Sequence, residues 1–242
     1  MECPELSVVM PAYREADALR KLLPALVLAL EGLTDRAEII VADSMEPLDD
    51  TAQVCATNGV RHVSRTGGNA YGDAVRTGIQ NSTGTYVLLM DADGSHNPND
   101  IQRLWKLRST RDIVIGSRYV NGGSTENPAV LIFMSRVLNY MYKFAFSLPV
   151  NDVSNSFRLY RGEQLRSINL ESNNFDIVEE ILIRLACGPV QATVTEVPVT
   201  FEQRKAGESK RDLPAFVLSY LGSMRKMRRF RAAELERSRK SV

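Results

Sequence analysis

Histidine and cysteine are scarce in these 242 residues, and that scarcity narrows the chemistry. His62 and His96 are the only two histidines. They leave little room for a histidine-based metal centre or a catalytic triad. Cys3, Cys55 and Cys187 stand far apart, are odd in number and follow no metal-ligand spacing. That pattern fits a reducing compartment and argues against a disulfide framework. Charge of one sign is lacking too: 30 basic residues face 29 acidic ones, a net charge of +1. The chain as a whole therefore makes no case for nucleic acid. No apolar run reaches the roughly 18 uninterrupted residues of a membrane-spanning helix. The nearest, Ala129 to Val150, is broken by Arg136, Asn139 and Lys143. It reads as an amphipathic helix, either packed into the protein or lying along a membrane surface. The N-terminus shows no charged segment followed by an apolar signal core. The G-x-G-x-x-G loop of dinucleotide binders is missing as well, so phosphates would have to be held some other way.

What is present is a sizeable apolar fraction, 44%, arranged as strands alternating with helices. Leu6 to Met10 reads as a strand ended by Pro11. Leu19, Leu22, Leu23, Leu26 and Leu30 recur at helical spacing, with Gly32 as the stop. Glu38 to Asp43 is a second strand, Asp49-Asp50-Thr51 opens a second helix, and Val60 to Val63 is a short third strand. A glycine-rich loop, Gly67 to Gly72, leads into a helix through Ala74-Val75-Arg76. It reads equally as a flexible connection or as a phosphate-facing loop. Asp112 to Tyr119 is another strand, carrying Arg118 to its carboxyl end. This alternation predicts an α/β fold with a mostly parallel central sheet covered by helices on both faces. The second half differs. A helix from Ala129 to Leu148, a helix from about Phe175 to Ala186 and a strand from Thr195 to Phe201 are expected. Glu179 and Glu180 are helix neighbours about 100° apart, so only one of them is expected to face a site. A polar, basic loop spans Arg204 to Lys210, and a final helix from about Leu213 runs into a basic tail. From Arg225 onward eight Lys and Arg stand against Glu234 and Glu236.

The chemistry concentrates in Tyr86 to His96. A short apolar run, the signature of a strand buried on both faces, ends in Asp91-Ala92-Asp93. Residues two apart on an extended chain share a face, so the two carboxylates can converge on one cation. Gly94 lets the backbone turn, and Pro98 opens a helix. Two carboxylates at the carboxyl end of a central strand suit Mg²⁺ or Mn²⁺ carrying a diphosphate. Asp also favours turns for its own reasons, so the pair reads as well as solvated turn residues. Asp43, at the end of the second strand, can accept hydrogen bonds from a ribose or base edge, or serve as a cap.

Taken in order, these pieces resemble family 2 glycosyltransferases of the dolichyl-phosphate and polyprenyl-phosphate mannosyltransferase type. The resemblance runs from about Leu6 to Lys210. It rests on Pro11-x-Tyr13-x-Glu15, Ile40-Val41-Ala42-Asp43, the Asn69–Ala74 loop and Met90-Asp91-Ala92-Asp93-Gly94-Ser95-His96-x-Pro98. It continues through Asp112-Ile113-Val114-x-Gly116-Ser117-Arg118-Tyr119, Ser156-Phe157-Arg158-Leu159-Tyr160-Arg161, Glu196-Val197-Pro198 and Arg204-x-x-Gly207-Glu208-Ser209-Lys210.

The resemblance implies a GT-A nucleotide-sugar fold and a role for each matching position. Pro11, Tyr13, Glu15, Val41 and Asp43 hold the nucleoside of a nucleotide-sugar donor. Asp91, Ala92 and Asp93 form the metal and diphosphate site, with Ser95 as a further metal ligand. Arg118, Arg204 and Lys210 neutralise donor phosphates, and Arg136 receives the phosphate of a polyprenyl-phosphate acceptor. The catalytic set is then Asp93, Arg118 and Arg136. Glu180 matches a helix acid of the family. The expected activity is metal-dependent, inverting transfer of a hexose, first of all mannose from GDP-mannose, at the cytoplasmic membrane face. Alternatives are a UDP-sugar donor with a soluble or other lipid-linked acceptor, and a non-catalytic nucleotide-binding subunit. The expected division is a catalytic domain over 1–212, with a nucleotide-binding half 1–120 and an acceptor half 121–212, then a helix and basic tail over 213–242. Without a spanning helix after Lys210, a partner subunit or a peripheral contact through the basic tail is implied. Two departures stand out: Ala42 occupies the first of the family's paired acidic positions, with one extra residue in the following loop, and Ala70 replaces a frequent Gly.

Overall fold

The computed structural model describes residues 3–203 and 222–233. Its first half builds the expected alternation: β1 (Leu6–Pro11), α1 (Ala16–Glu31), β2 (Ala37–Asp43), α2 (Thr51–Thr57), β3 (Arg61–Ser64), α3 (Tyr71–Asn81) and β4 (Tyr86–Leu89). β1 is buried along its whole length because parallel partners flank it on both sides. Val9 lies opposite Ile40 of β2 and opposite Leu89 of β4. Successive side chains go to opposite faces. Leu6, Val8 and Met10 pack with Leu19, Leu23 and Leu26 of α1. Val9, Val87 and Leu89 pack on the other face with Val75 and Ile79 of α3.

A single 3₁₀ turn (Pro98–Asp100) then leads into α4 (Ile101–Trp105), β5 (Ile113–Ser117), β6 (Ser124–Thr125) and α5 (Ala129–Phe146). The chain closes with β7 (Arg158–Arg161), α6 (Gly162–Ser167), α7 (Ile177–Cys187), β8 (Val194–Pro198), β9 (Thr200–Phe201) and a helix over 222–233, here α8. The main sheet has the order β3-β2-β1-β4-β7-β5-β8. The sheet thus takes strands from both sides of residue 120.

Three expectations are corrected. β7, read from the sequence only as part of a motif, is a central strand, and it runs antiparallel between β4 and β5. A buried arginine at its start hides it from an apolar-run criterion. The segment expected as one strand from Thr195 to Phe201 breaks at Val199: β8 joins the main sheet, and β9 pairs with β6. α3 begins at Tyr71, ahead of Ala74, because the Gly72 N–H donates to the Asn173 carbonyl at 2.7 Å. A Cβ on Gly72 would meet the Ser172 carbonyl oxygen at 2.3 Å, so only glycine permits this approach.

The reversed strand has a positional consequence. Arg158, its first residue, pairs with Leu89 and with Ile115, near the carboxyl ends of β4 and β5. Residues 151–157 are therefore delivered to the edge of the sheet where ligands of α/β folds bind. α5 buries Asn139, Tyr142 and Phe146 on one side. Its other side exposes Val130, Phe133, Val137, Tyr140 and Phe144, three and four residues apart. No helix among the described residues is long and apolar enough to cross a membrane.

Candidate active site

The loops at the carboxyl ends of β1, β2 and β3 are tied together by Arg65. Its Nε donates to the Asp43 carbonyl at 2.9 Å and its Nη1 to the carbonyls of Asn69 and Ala70, both at 3.0 Å. Nη2 donates to the Ala12 carbonyl. The same guanidinium lies 5.6 Å from the centre of the Tyr13 ring. One buried side chain thus fixes the first loop, the end of β2 and the glycine-rich loop. Asp43 is buried; one carboxylate oxygen accepts the Ser44 N–H at 2.7 Å and the other lies 3.2 Å from His62 Nε2. The Met45 N–H donates to Asn69 at 2.9 Å, so the loop that departs from the family pattern leans on the glycine-rich loop. Glu15 stands at the N-cap of α1. Pro11 closes β1, and Val41 is sealed in the core at 0% exposure, which leaves its side chain no surface for a ligand.

The turn after β4 is highly organised. Asp91 accepts the Tyr71 hydroxyl at 2.9 Å on one oxygen and the Ser156 hydroxyl at 2.8 Å on the other. Burial first, and then the Asp91 charge, push the Tyr71 phenol well above its usual pKa, so it remains a donor. Asp93 accepts both the N–H of Ser95, at 3.0 Å, and its hydroxyl, at 2.6 Å. Ser95 is 1% exposed and orients Asp93. Gly94 between them has φ +78°, a conformation that a Cβ disfavours. Ala92 is buried in the core. His96 Nδ1 accepts the Asp91 N–H at 3.2 Å, which places its proton on Nε2, 3.1 Å from Asn155 Oδ1. Asn155 in turn donates to the Gly116 carbonyl at 2.6 Å.

Arg118, at the end of β5, is 9% exposed. Its Nε and Nη2 donate to the two oxygens of Asp152 at 2.8 and 2.7 Å, and Nη2 also reaches Ser154 at 2.8 Å. Burial opposes both charges, but each prevails: Asp152 is held below the usual carboxylate range, and Arg118 is raised. Two guanidiniums lie near the Tyr119 ring, Arg118 at 5.1 Å from its centre and the exposed Arg136 of α5 at 5.4 Å. The structure thus brings Asp91 and Asp93 together on one turn, and Arg118 and Arg136 against one ring. The 151–157 loop joins the two groups, through Ser156 on one side and Asp152 on the other. Arg204 and Lys210 lie outside the described residues, as does the start of the final helix.

Neither acid of α7 faces this cleft. Glu180 is wholly buried and accepts the N–H groups of Glu171 and Ser172, while pairing with Arg184 at 2.7 Å. Glu179 points into the interior. Sequence reasoning missed Arg65, Tyr71, Asp152 and Ser156. Ser156 lay inside a quoted motif, whereas an isolated arginine after a short strand carries no signal of its own.

Residues 7–168 match the profile of Glycosyl transferase family 2. This chain belongs to that family. It is a glycosyltransferase. It is 32% identical over 213 residues to the dolichol-phosphate mannosyltransferase of Pyrococcus furiosus, covering 85% of this chain and 59% of that protein. The undecaprenyl-phosphate mannosyltransferase of Micrococcus luteus is 31% identical over 215 residues, 84% of this chain and 85% of that protein. Among solved structures, glucosyl-3-phosphoglycerate synthase of Mycobacterium tuberculosis superposes with a TM-score of 0.68 at 19% identity. The match covers 93% of this chain and 80% of that one, which was solved with Mn²⁺, uridine diphosphate and glucosyl-3-phosphoglycerate. At that identity the likeness carries the fold, and the fold is GT-A.

Proposed function

We propose that this family 2 enzyme transfers mannose from GDP-mannose to a polyprenyl phosphate, with inversion at the sugar carbon, as a peripheral protein of the cytoplasmic membrane face. One observation carries the acceptor: the apolar outer stripe of α5 shares its helix with Arg136, whose guanidinium, like that of Arg118, lies against the Tyr119 ring. A lipid phosphate presented at a membrane surface is the ligand such an arrangement suits. The names of the relatives from Pyrococcus furiosus and Micrococcus luteus support the same reading.

The donor set at Asp91 and Asp93 fits Mg²⁺ or Mn²⁺. It offers carboxylate oxygens only, and among the described residues no group of three or more acidic, His or Cys side chains stands ready to hold an ion. Such a site is completed by diphosphate oxygens. When bound, the ion would stabilise negative charge on the departing nucleoside diphosphate. The protein's own groups do the rest. Tyr71, Ser156 and Ser95 fix the two carboxylates. Tyr13 and Asp43 border the nucleoside, and Arg204 and Lys210 complete the phosphate contacts. Arg118 joins them on the donor phosphates, and Arg136 aligns the acceptor phosphate, whose oxygen is already anionic at neutral pH and needs no strong base. That oxygen bonds to the sugar carbon as the bond to the diphosphate breaks, and positioning supplies much of the rate. Residues 1–212 form the catalytic unit, and 213–242 add a basic segment toward anionic headgroups.

The test is incubation with labelled GDP-mannose, UDP-glucose and other nucleotide sugars, Mg²⁺ or Mn²⁺, and a short polyprenyl phosphate. Label entering the organic phase from GDP-mannose alone is the expected result. Turnover confined to water-soluble acceptors would overturn the lipid reading. Binding to vesicles should weaken about tenfold or more when Phe133 and Phe144 are both changed to Ser, since each buried aromatic side chain contributes about 2 kcal/mol.

A further inference from the structure

The loop 151–157 touches the site at four places without being regular structure. Asp152 and Ser154 hold Arg118, Asn155 holds His96, and Ser156 holds Asp91. Glu196 accepts the N–H groups of Asn151 and Asp152, Asn139 accepts that of Val153, and Arg158 fastens the loop from its far side. Its side chain has 0% exposure. Nε donates to the Asn155 carbonyl at 2.7 Å, Nη2 to the Val153 carbonyl at 2.6 Å, and Nη1 to the Val178 carbonyl at 2.9 Å. One guanidinium therefore ties two points of the loop to the first turn of α7. A buried guanidinium ordinarily takes a carboxylate partner, yet among the described residues Arg158 has no ion pair. The residue after Val178 is Glu179, 1% exposed, and neither of its carboxyl oxygens has a hydrogen-bond partner. The Tyr160 hydroxyl, on the same face of β7 as Arg158, is also without one.

We propose that Arg158 is a positioning residue for glycosyl transfer, holding the 151–157 loop and, through it, Asp91, Arg118 and His96 in their working arrangement, with Glu179 as the group that can draw it away. This rests on the chain being a glycosyltransferase, not on which sugar or acceptor it uses. Lysine is no substitute, because a single ammonium cannot serve three carbonyls spread across a planar fork. Burial pushes the Glu179 carboxyl up to about 8, against the pull of Arg158. At pH 7 it is mostly protonated, and Arg158 serves the carbonyls alone. Above that pKa a carboxylate appears beside the guanidinium and competes for it. The charged and titratable groups around Glu179 are Arg158 and Tyr160 of β7, Asp152 of the loop, Asp176 at the head of α7, Arg118 of β5 and Tyr142 of α5. α8 contributes Ser223, against Tyr142, and the apolar Met224 and Met227. Of the two cations, Arg118 is already committed to Asp152. Both phenols are raised by burial and stay neutral.

The experiment compares the full chain with Arg158→Lys and Glu179→Gln across the Glu179 pKa of about 8. It measures initial rates with whichever sugar donor and acceptor the wild type turns over, and hydrogen–deuterium exchange, corrected for intrinsic rates, in peptides covering 151–157. Arg158→Lys should lower kcat by about 10²-fold, leave the donor KM within about threefold, and speed exchange in the loop but not in β1. Wild-type kcat should fall as Glu179 ionises, and Glu179→Gln should keep the neutral-pH rate and lose that fall. Wild-type kcat in Arg158→Lys, or the same alkaline fall in Glu179→Gln, would overturn the proposal. If Arg158→Lys does not fold, the Glu179→Gln profile decides alone. If the wild type turns over no donor offered, loop exchange decides: loosening at alkaline pH that Glu179→Gln removes supports the proposal, and its absence sinks it.

Discussion

Arg65 and Arg158 fasten the two halves of the cleft by the same means, a buried guanidinium spread over backbone carbonyls. They differ in the acids around them. Burial lowers the Arg65 pKa, and the nearby charges of Asp43 and Asp73 offset only part of that. Arg158 lies beside a carboxyl that burial keeps protonated at neutral pH. The loops after β1, β2 and β3 are thus held by a guanidinium whose neighbouring acids are ionised. The 151–157 loop is held by one that has, besides the ionised Asp152, a protonated carboxyl close by. Equal geometry does not give equal response to pH; the protonation state of the neighbours decides it.

The comparison assumes that both halves serve one centre, and Asp93→Ala tests that assumption with the largest effect. Turnover should drop on the order of 10⁴-fold, read from initial rates, because several kcal/mol of leaving-group stabilisation disappear. An unaffected rate would leave the two halves without a common purpose. Asp152→Ala comes next. It strands Arg118 as an uncompensated buried charge and should cost about 3–5 kcal/mol of stability by urea titration. Replacing both partners by apolar residues of similar size should recover much of that stability without recovering turnover. Arg65→Met then separates the halves. It leaves four carbonyls without their donor, so a loss of about 2 kcal/mol is expected. The donor KM should rise, while exchange in residues 151–157 stays as in the wild type. Per unit of pH, the smallest change is the slope from Glu179. The unfolded chain releases this proton near the ordinary glutamate value of 4.5, and the folded chain holds it to about 8. Between those values the unfolded state binds fewer protons, so stability falls by about 1.4 kcal/mol per pH unit as pH rises. In Glu179→Gln that contribution should vanish, which thermal melts over a pH series would show.

Much of this was readable in the sequence because the first half obeys simple periodicities. The α1 leucines, the apolar β1 and β4, and the break at Asp91-Ala92-Asp93 each announce their own structure. β7 did not, because Arg158 and Arg161 interrupt a four-residue strand whose burial comes from its neighbours. The pair Arg118–Asp152 was half legible: the arginine ended a clear strand, but its partner lies 34 residues onward in a loop. Glu179 and Glu180 show the limit of helical geometry. The angle between them is as expected, yet both directions lead into protein, because helices and strands pack on α7 from more than one side.

The chain leaves the tip of β5 at Arg118 and returns to the same spot at Asp152, where the ion pair closes the excursion like a clasp. Everything between, including α5, adds no strand to the main sheet, though β6 pairs with β9 and Tyr142 and Phe146 pack into the core. On the function proposed above, Arg136 and the exposed face of α5 both lie inside that excursion, so a change in what receives the sugar would be confined to the stretch the clasp encloses.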